Sequence, residues 1–348
     1  MIHVIKNFLL KQINPWCVDN LLISEGNVKI KGWILDSNFH YGLSDVYCNG
    51  LKAKTTIRTE SRNDLEIVFP YYKNASISGF ECSFEFNDKG IAIEDFRFSI
   101  VQDGNNLNPW FDYYYPLNST CPLPSEHDRV RVHGNSSISG FILEGFSIYC
   151  KLIELWNGQS KLPIFRNPRV LDWGCGCARV SRYFDTSKVN LWGADVDEVN
   201  LQWCKDYTGI NTVRLTPNPP TSLPKNYFDL IFGISVMSHL DPSMQTDWLK
   251  ELAESLRSNG LIMLSVHGIS AALRALSDDL YQQFMCNGHL ELGSNNHLKD
   301  VVPNAKYYRD TFVDSIHILR KWTKYFSVVQ YMESIIGNHQ DLVIMKRK

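Results

Sequence analysis

The chain of 348 residues has no run of 18 apolar residues, no C-x-x-C pair and almost no net charge. The first absence excludes a membrane-spanning helix on length. Nine cysteines at irregular spacings leave one unpaired, so neither a disulfide framework nor a zinc knuckle is indicated. Lys and Arg number 35 against 37 Asp and Glu, a formal charge of -2, which removes the electrostatic footprint of a non-specific nucleic-acid binder. A targeting signal is not expected: Lys6 and Lys11 interrupt the apolar positions Ile2, Ile5, Leu9 and Ile13, and no small-residue cleavage site follows. These absences read together as a soluble, cytoplasmic chain. What is present is 44% hydrophobic residues, enough for packed cores, and a length that suggests two domains.

The two halves differ in grain. From about Leu21 to Val101 short apolar runs alternate with turn signals. Asn27-Val28-Lys29-Ile30-Lys31 has period two, Asn49-Gly50 is a two-residue hairpin signal, and Asp88-Lys89-Gly90 suggests another hairpin. Strands at this spacing predict a small all-β sandwich or open barrel over residues 1–112. Residues 113–125 read as a linker, with Tyr113-Tyr114-Tyr115 either packing between domains or lining a groove.

From Ser125 onwards strands alternate with helices. Arg169 to Asp172 is a first strand, with a helix expected through Val180 and Phe184. Asn190 to Asp195, Thr212 to Leu215, Phe228 to Gly233 and Leu261 to Val266 follow as strands, and Asp341 to Met345 as a last one running antiparallel. Asp241-Pro242 supplies a helix N-cap and a proline at the first helical position, and Asn259-Gly260 is the expected end of that helix. The pattern predicts an α/β domain over 126–348, a doubly wound, mostly parallel, Rossmann-like sheet of seven strands. Residues 267–325 stand out as an insertion able to cover a substrate. Helices are expected near Ser270–Phe284 and Thr311–Tyr325, joined by a polar loop with His289 and His297.

Asp172-Trp173-Gly174-Cys175-Gly176 joins the first strand to the expected helix. Glycines there let a ligand approach the backbone, whose N–H groups would face an anion at a helix N-terminus. Arg179 stands where a dinucleotide fingerprint wants a small residue, and Gly-Lys-Ser/Thr is absent, so neither that fingerprint nor a P-loop is met. Asp195, at the end of the next strand, can take both hydroxyls of a ribose.

Val170 to Arg179, Gly193-Ala194-Asp195-Val196-Asp197, Ser235 to Leu240 and Leu252 to Leu264 together resemble the motifs of the class I S-adenosylmethionine-dependent methyltransferases. The resemblance implies S-adenosyl-L-methionine as cofactor. It also implies Asp172, Gly174, Cys175, Gly176 and Ser235 around it, Asp195 on the ribose and Val196 on the adenine. The acid usual after the third strand is missing, and Asn218 is a candidate adenine partner in its place.

An acceptor hydroxyl needs a base. His239, His267 and His339 fall at strand ends on one edge of the expected sheet and are the candidates, with Asp341 able to orient an imidazole. Arg131 and His133 suit an anionic or hydroxyl-rich acceptor, or else form a solvated basic face. Asp241 is better explained as a cap than as a metal ligand, and no metal is expected. Gly32-Trp33-Ile34-Leu35-Asp36 and Ser78-Gly79-Phe80 resemble an accessory module found beside transferases of surface-polysaccharide synthesis. That likeness implies a saccharide acceptor and a β-rich domain able to contact protein or glycan. N-methylation of an amino sugar or small amine, and a silent cofactor-binding protein, are the alternatives.

Overall fold

Period-two burial builds the N-terminal part. The computed structural model describes residues 16–24, 26–35, 45–58, 61–70, 72, 75–86, 94–102, 105–106, 112–160, 167–294, 301 and 308–348. The strands there are β1 (Trp16–Ser24), β2 (Asn27–Ile34), β3 (Asp45–Cys48), β4 (Leu51–Lys52) and β5 (Thr55–Arg58). After a short helix α1 (Asn63–Val68) come β6 (Gly79–Glu85), β7 (Asp95–Gln102), β8 (Asn105–Asn106) and β9 (Tyr113–Pro116). In β2, Val28 and Ile30 point inward and Lys29 and Lys31 outward. One antiparallel sheet is ordered β1-β2-β6-β5 and the other β4-β3-β7-β8, with β9 also paired to β7. Phe84 and Phe98, one from each sheet, pack with ring centroids 6.1 Å apart. Asn49 and Gly50 both take positive φ in the β3–β4 turn, as a two-residue hairpin with matched twist requires. The expected hairpin at Asp88-Lys89-Gly90 lies outside the described residues.

One expectation changes here. Tyr113–Pro116, read as the start of a linker, is a strand whose pairing partner Asp95–Phe98 is distant in sequence. Tyr113 is buried edge-on against Trp16, at 4.9 Å between centroids.

The second part begins with α2 (Glu126–His133) and the long α3 (Ile138–Gln159). It continues through β10 (Arg169–Trp173), β11 (Asn190–Asp195), α4 (Glu198–Tyr207), β12 (Asn211–Arg214), β13 (Phe228–Gly233), α5 (Pro242–Ser255) and β14 (Leu256–Val266). The seven-stranded sheet is ordered β12-β11-β10-β13-β14-β18-β17, closed by β17 (Phe326–Ile336) and β18 (Gln340–Arg347). β10 to β14 run parallel and β18 antiparallel to its neighbours. β13 is buried along its whole length, as a central parallel strand covered on both faces must be. Asp241 caps α5 by accepting from the Met244 N–H at 2.9 Å, and Pro242 stands in its first turn. That helix ends at Ser255, before Asn259-Gly260, because the following residues already pair with β13 through a bulge between Leu256 and Leu261.

The insertion holds α6 (Ile269–Ala275), α7 (Asp278–Asn287), the strand pair β15 (His289–Ser294) and β16 (Arg309–Val313), and α8 (Ser315–Lys321). The two long helices expected here are therefore shorter. Ser277 caps α7 and breaks the first, while residues 309–313 pair with β15 and delay the second until Asp314 caps it. His297 lies outside the described residues.

Side chains join the two parts. Leu143, Ile148 and Leu152 of α3 belong to one buried cluster with Trp16 and Phe98 of the sandwich and with Val170 and Phe232 of the large sheet. Tyr114 donates its N–H to Ser147 Oγ at 2.7 Å, and Asn338 Nδ2 donates to the Trp16 carbonyl at 2.8 Å.

Candidate active site

Doubly wound sheets bind ligands beyond the carboxyl ends of their strands, where the order reverses. Here β10 and β13 are the reversal, and the motif residues collect beside it. Gly174 and Gly176 take positive φ of 74° and 50°. A Cβ on Gly174 would lie 2.3 Å from Val236 Cγ2, so this loop has room only for glycine. No α-helix follows it. Ala178 has φ 57°, and the chain makes turns and a single 3-10 turn at Ser181–Tyr183 instead. The loop N–H groups are also engaged: those of Gly174 and Cys175 bond the Ala194 carbonyl, at 2.7 and 3.2 Å, and that of Gly176 bonds Asp195 Oδ2 at 2.7 Å. The anion cradle expected from the sequence is thus absent, and the loop offers close approach rather than positive dipoles.

Carboxylates dominate this end of the sheet. Asp195 accepts one backbone bond on each oxygen, from Gly176 and from Asp197 at 2.9 Å. A carboxylate has about four acceptor positions, so capacity for two ligand hydroxyls remains. Asp172 is buried, and that burial, with Asp195 nearby, pushes its carboxyl up to about 7. Asp197 caps α4 through Val199 N at 3.0 Å and ion-pairs with Arg131.

A cavity of about 390 Å³ opens above these groups, within the usual range of small-molecule sites. Asp172, Gly174, Cys175, Gly176, Asp195, Val196 and Ser235 all border it. Leu215, Pro217 and Trp248 extend the apolar wall beside Val196. Asn218, one residue beyond, is exposed and does not border the cavity. A nucleoside fits this donor set. A diol would meet Asp195, a flat base the wall of Val196, Leu215 and Trp248, and a cationic tail a cluster of acids with no anion cradle.

Arg131 and His133 border the same cavity. Arg131 is engaged with Asp197, so its cation is already paired within the protein. His133 Nδ1 stands 2.7 Å from Glu144 Oε2, while Arg179 Nη1 is 2.8 Å from Oε1. Burial would raise the Glu144 carboxyl, but Arg179 and His133 outweigh it and hold it down at about 2.

The three candidate bases form a row. His239 is edge-on to His267 at 6.0 Å between ring centroids, and His267 is 5.1 Å from His339. Among the three, His239 borders the cavity. Its ring stacks on Tyr308 at 4.8 Å, and its Nδ1 lies 3.2 Å from Asp310 Oδ1. His267 is packed against Phe312, and burial with His239 beside it pushes its imidazole down to about 3, too weak a base to take a hydroxyl proton. His339 faces Arg274: Nη2 of the guanidinium is 3.3 Å from His339 Nδ1. A guanidinium can only donate, so Nδ1 accepts and Nε2 keeps its hydrogen, which makes His339 a donor and not a base. Asp341 orients no imidazole. It is fully buried, accepting from Tyr331 Oη at 2.5 Å and Ser334 N at 2.8 Å.

Glu144, Asp310, Tyr308 and Trp248 border or support the site without having been singled out in the sequence as site residues. Glu144 alone carried a signal, as an acid within the apolar stretch Phe141–Gly145 of a helix. Gln340 Nε2 donates to Ser235 Oγ at 2.9 Å and its Oε1 accepts from Ser265 Oγ at 2.6 Å, tying together the ends of β13, β14 and β18. Ser235 itself has φ 60°, a left-handed backbone that non-glycine residues adopt mainly where the surroundings enforce it.

A family model described as a methyltransferase domain matches residues 148–307. Similar solved structures include an S-adenosylmethionine-dependent methyltransferase from Mesorhizobium loti, 17% identical, with 56% of this chain and 96% of that one covered at a TM-score of 0.41. Another is the 1,6-didemethyltoxoflavin-N1-methyltransferase of Burkholderia thailandensis, 14% identical, with 69% of this chain and 97% of that one covered at a TM-score of 0.42. No curated protein matches the chain. The matched family domain lies over this glycine loop and acidic strand end, so the α/β part of the chain is similar to a methyltransferase domain.

Proposed function

We propose that the chain O-methylates a sugar hydroxyl in a glycan or glycan precursor, with His239 as the general base. The observation that carries the reading is the His239–Asp310 pair at the cavity edge. S-adenosylmethionine, when bound, supplies a methyl carbon already activated by its sulfonium. The protein's tasks are then to align the acceptor and to take its proton. Asp310 beside Nδ1 favours the tautomer with hydrogen there, leaving the Nε2 lone pair to accept a hydroxyl proton. Asp172, Gly174, Cys175, Gly176, Asp195 and Val196 would hold the donor, with Ser235 at its border with the acceptor. The N-terminal sandwich acts as a module like those beside surface-polysaccharide transferases. All nine cysteines are free, which suits a reducing cytoplasm.

The test is methyl transfer from tritiated S-adenosylmethionine to a panel of oligosaccharides and amino sugars, with the methylated atom located in the product. O-methyl sugar formed by the native chain and lost in His239→Ala is the expected result. Methylation of amines that survives His239→Ala would transfer the assignment to N-methylation, because a neutral amine needs no strong base. Cofactor binding with no product would favour a silent binding protein.

A further inference from the structure

A second space, of about 900 Å³, lies between the sandwich and the α/β domain. His133, Glu144, Ser235 and Gln340 border both this space and the first cavity, so the two adjoin at the site's reacting end. Asp19, Asn20, Arg62 and Tyr115 of the sandwich form one wall, and Ser136 and His339 belong to the other. The pairing of β1 with β2 slips between Val18 and Asn20, a bulge at Asp19 of the kind that re-aims a side chain. The walls are fixed to each other. Ser137 Oγ donates to the Asp19 carbonyl at 3.1 Å and Ser139 Oγ to Asn20 Oδ1 at 2.8 Å.

The charges around this space are paired within the protein. Arg62 Nη1 bonds Asp19 Oδ2 at 2.6 Å, and Glu144 is held by His133 and Arg179. Amide, hydroxyl, phenol and imidazole groups make up the rest of the polar lining, the equipment for hydrogen-bonding and stacking on a neutral polyol rather than for neutralising an ion. The tautomer of His339 set by Arg274 adds a donor on the same side.

We propose that this space is the acceptor site, and that the sandwich reads a neutral, hydroxyl-rich saccharide there through Asn20 and Tyr115, with the Asp19–Arg62 pair at its wall. The proposal rests on the methyl-transfer reading above and adds that the N-terminal module completes the site. It is tested by applying the labelled full-length chain to an array of immobilised neutral and uronic-acid-bearing oligosaccharides, with S-adenosylmethionine affinity measured in parallel by calorimetry. Neutral glycans should be retained. Asn20→Ala and Tyr115→Ala should each weaken that retention about tenfold while cofactor affinity is unchanged. Tyr115→Phe, which keeps the ring, should lose less than Tyr115→Ala and guards against a folding defect. Retention of uronic-acid glycans alone, no retention of any glycan, or variants that bind as the native chain does would each overturn the proposal. So would a parallel loss of cofactor affinity, which would assign these residues to the first cavity. Glycan binding without methyl transfer would instead sink the proposed function and leave the saccharide site standing.

Discussion

Nδ1 of His239 lies 3.2 Å from Oδ1 of Asp310, within ion-pair distance but outside hydrogen-bond geometry, so a carboxylate from the insertion stands beside an imidazole just beyond a central sheet strand. The arrangement separates orientation from proton transfer. Replacing His239 by Gln keeps a polar side chain but removes the base, and the loss in kcat should be about a hundredfold to ten-thousandfold. Asp310→Asn should lie between this variant and the native chain, since the imidazole survives with its tautomer less well fixed. Initial rates at saturating cofactor measure both. Equal rates in all three chains would remove His239 from the reaction.

Asp195 presents two oxygens, each with one backbone bond already made. Asp195→Ala should weaken S-adenosylmethionine binding by about ten- to two-hundredfold, the worth of a hydrogen bond to a charged group. S-adenosylhomocysteine shares the ribose and lacks the sulfonium charge, so its affinity should fall by a similar factor. A loss confined to S-adenosylmethionine would mean that Asp195 acts through its charge and not through a diol.

Local pattern made some of this legible and tertiary pairing hid the rest. Asp172, the two loop glycines and Asp195 are readable because one strand–turn unit and the end of the next strand contain them. The helix expected after the loop fails because Ala178 takes a left-handed φ of 57°, which no propensity scale registers. The anion cradle fails because Ala194, on the neighbouring strand, accepts the loop N–H groups. Asp310 and Gln340 gain their roles only when β16 and β18 come beside β13 and β14. Tyr113–Pro116 is a strand because β7 stands alongside it. The row of three histidines was legible as a shared edge, but burial and partners separate the one at the cavity from two that cannot accept a proton there.

Asp172 makes the cavity beside the glycine loop sensitive to pH. Its carboxyl is pushed up to about 7 in the fold, by burial first, against about 3.9 for an unperturbed aspartate. Between those values the folded chain binds the extra proton, so this group's contribution to stability falls as pH rises towards 7 and is level beyond it. Asp172→Asn should therefore raise the melting temperature of the ligand-free protein at pH 8 more than at pH 5. The ionised carboxyl also attracts a cation, so S-adenosylmethionine should bind more tightly above pH 7 than below it. S-adenosylhomocysteine should show a smaller rise. Titrations of both ligands across that range check the sign, and parallel curves for the two would assign the effect to something other than the sulfonium.

On the acid side, His267 and Glu144 act in the same direction for different reasons. Burial, with His239 beside it, holds His267 down at about 3, so the unfolded chain, with an ordinary value near 6.5, binds more protons in between. Stability from this group is complete above about pH 6.5 and is lost as pH falls. Glu144 is held at about 2 by Arg179 and His133 despite its burial. Its contribution is present above the ordinary glutamate value near 4.3 and is lost only below it. His339 and His317 are buried imidazoles held down in the same way, while the raised carboxyl of Asp172 acts in the opposite direction. The imidazole loss below about pH 6.5 is therefore partly offset, and the Glu144 loss adds to it below about pH 4.5. His267→Phe, which fills the space beside Phe312 with an uncharged ring, should reduce the first part by the share of one imidazole and leave the second. Glu144→Gln should flatten the second but lower stability at neutral pH, since Arg179 then stays buried without its carboxylate. Melting temperatures recorded from pH 3 to pH 8 for the three chains measure both effects. A first part unchanged in His267→Phe would mean that His339 and His317 carry it and His267 does not.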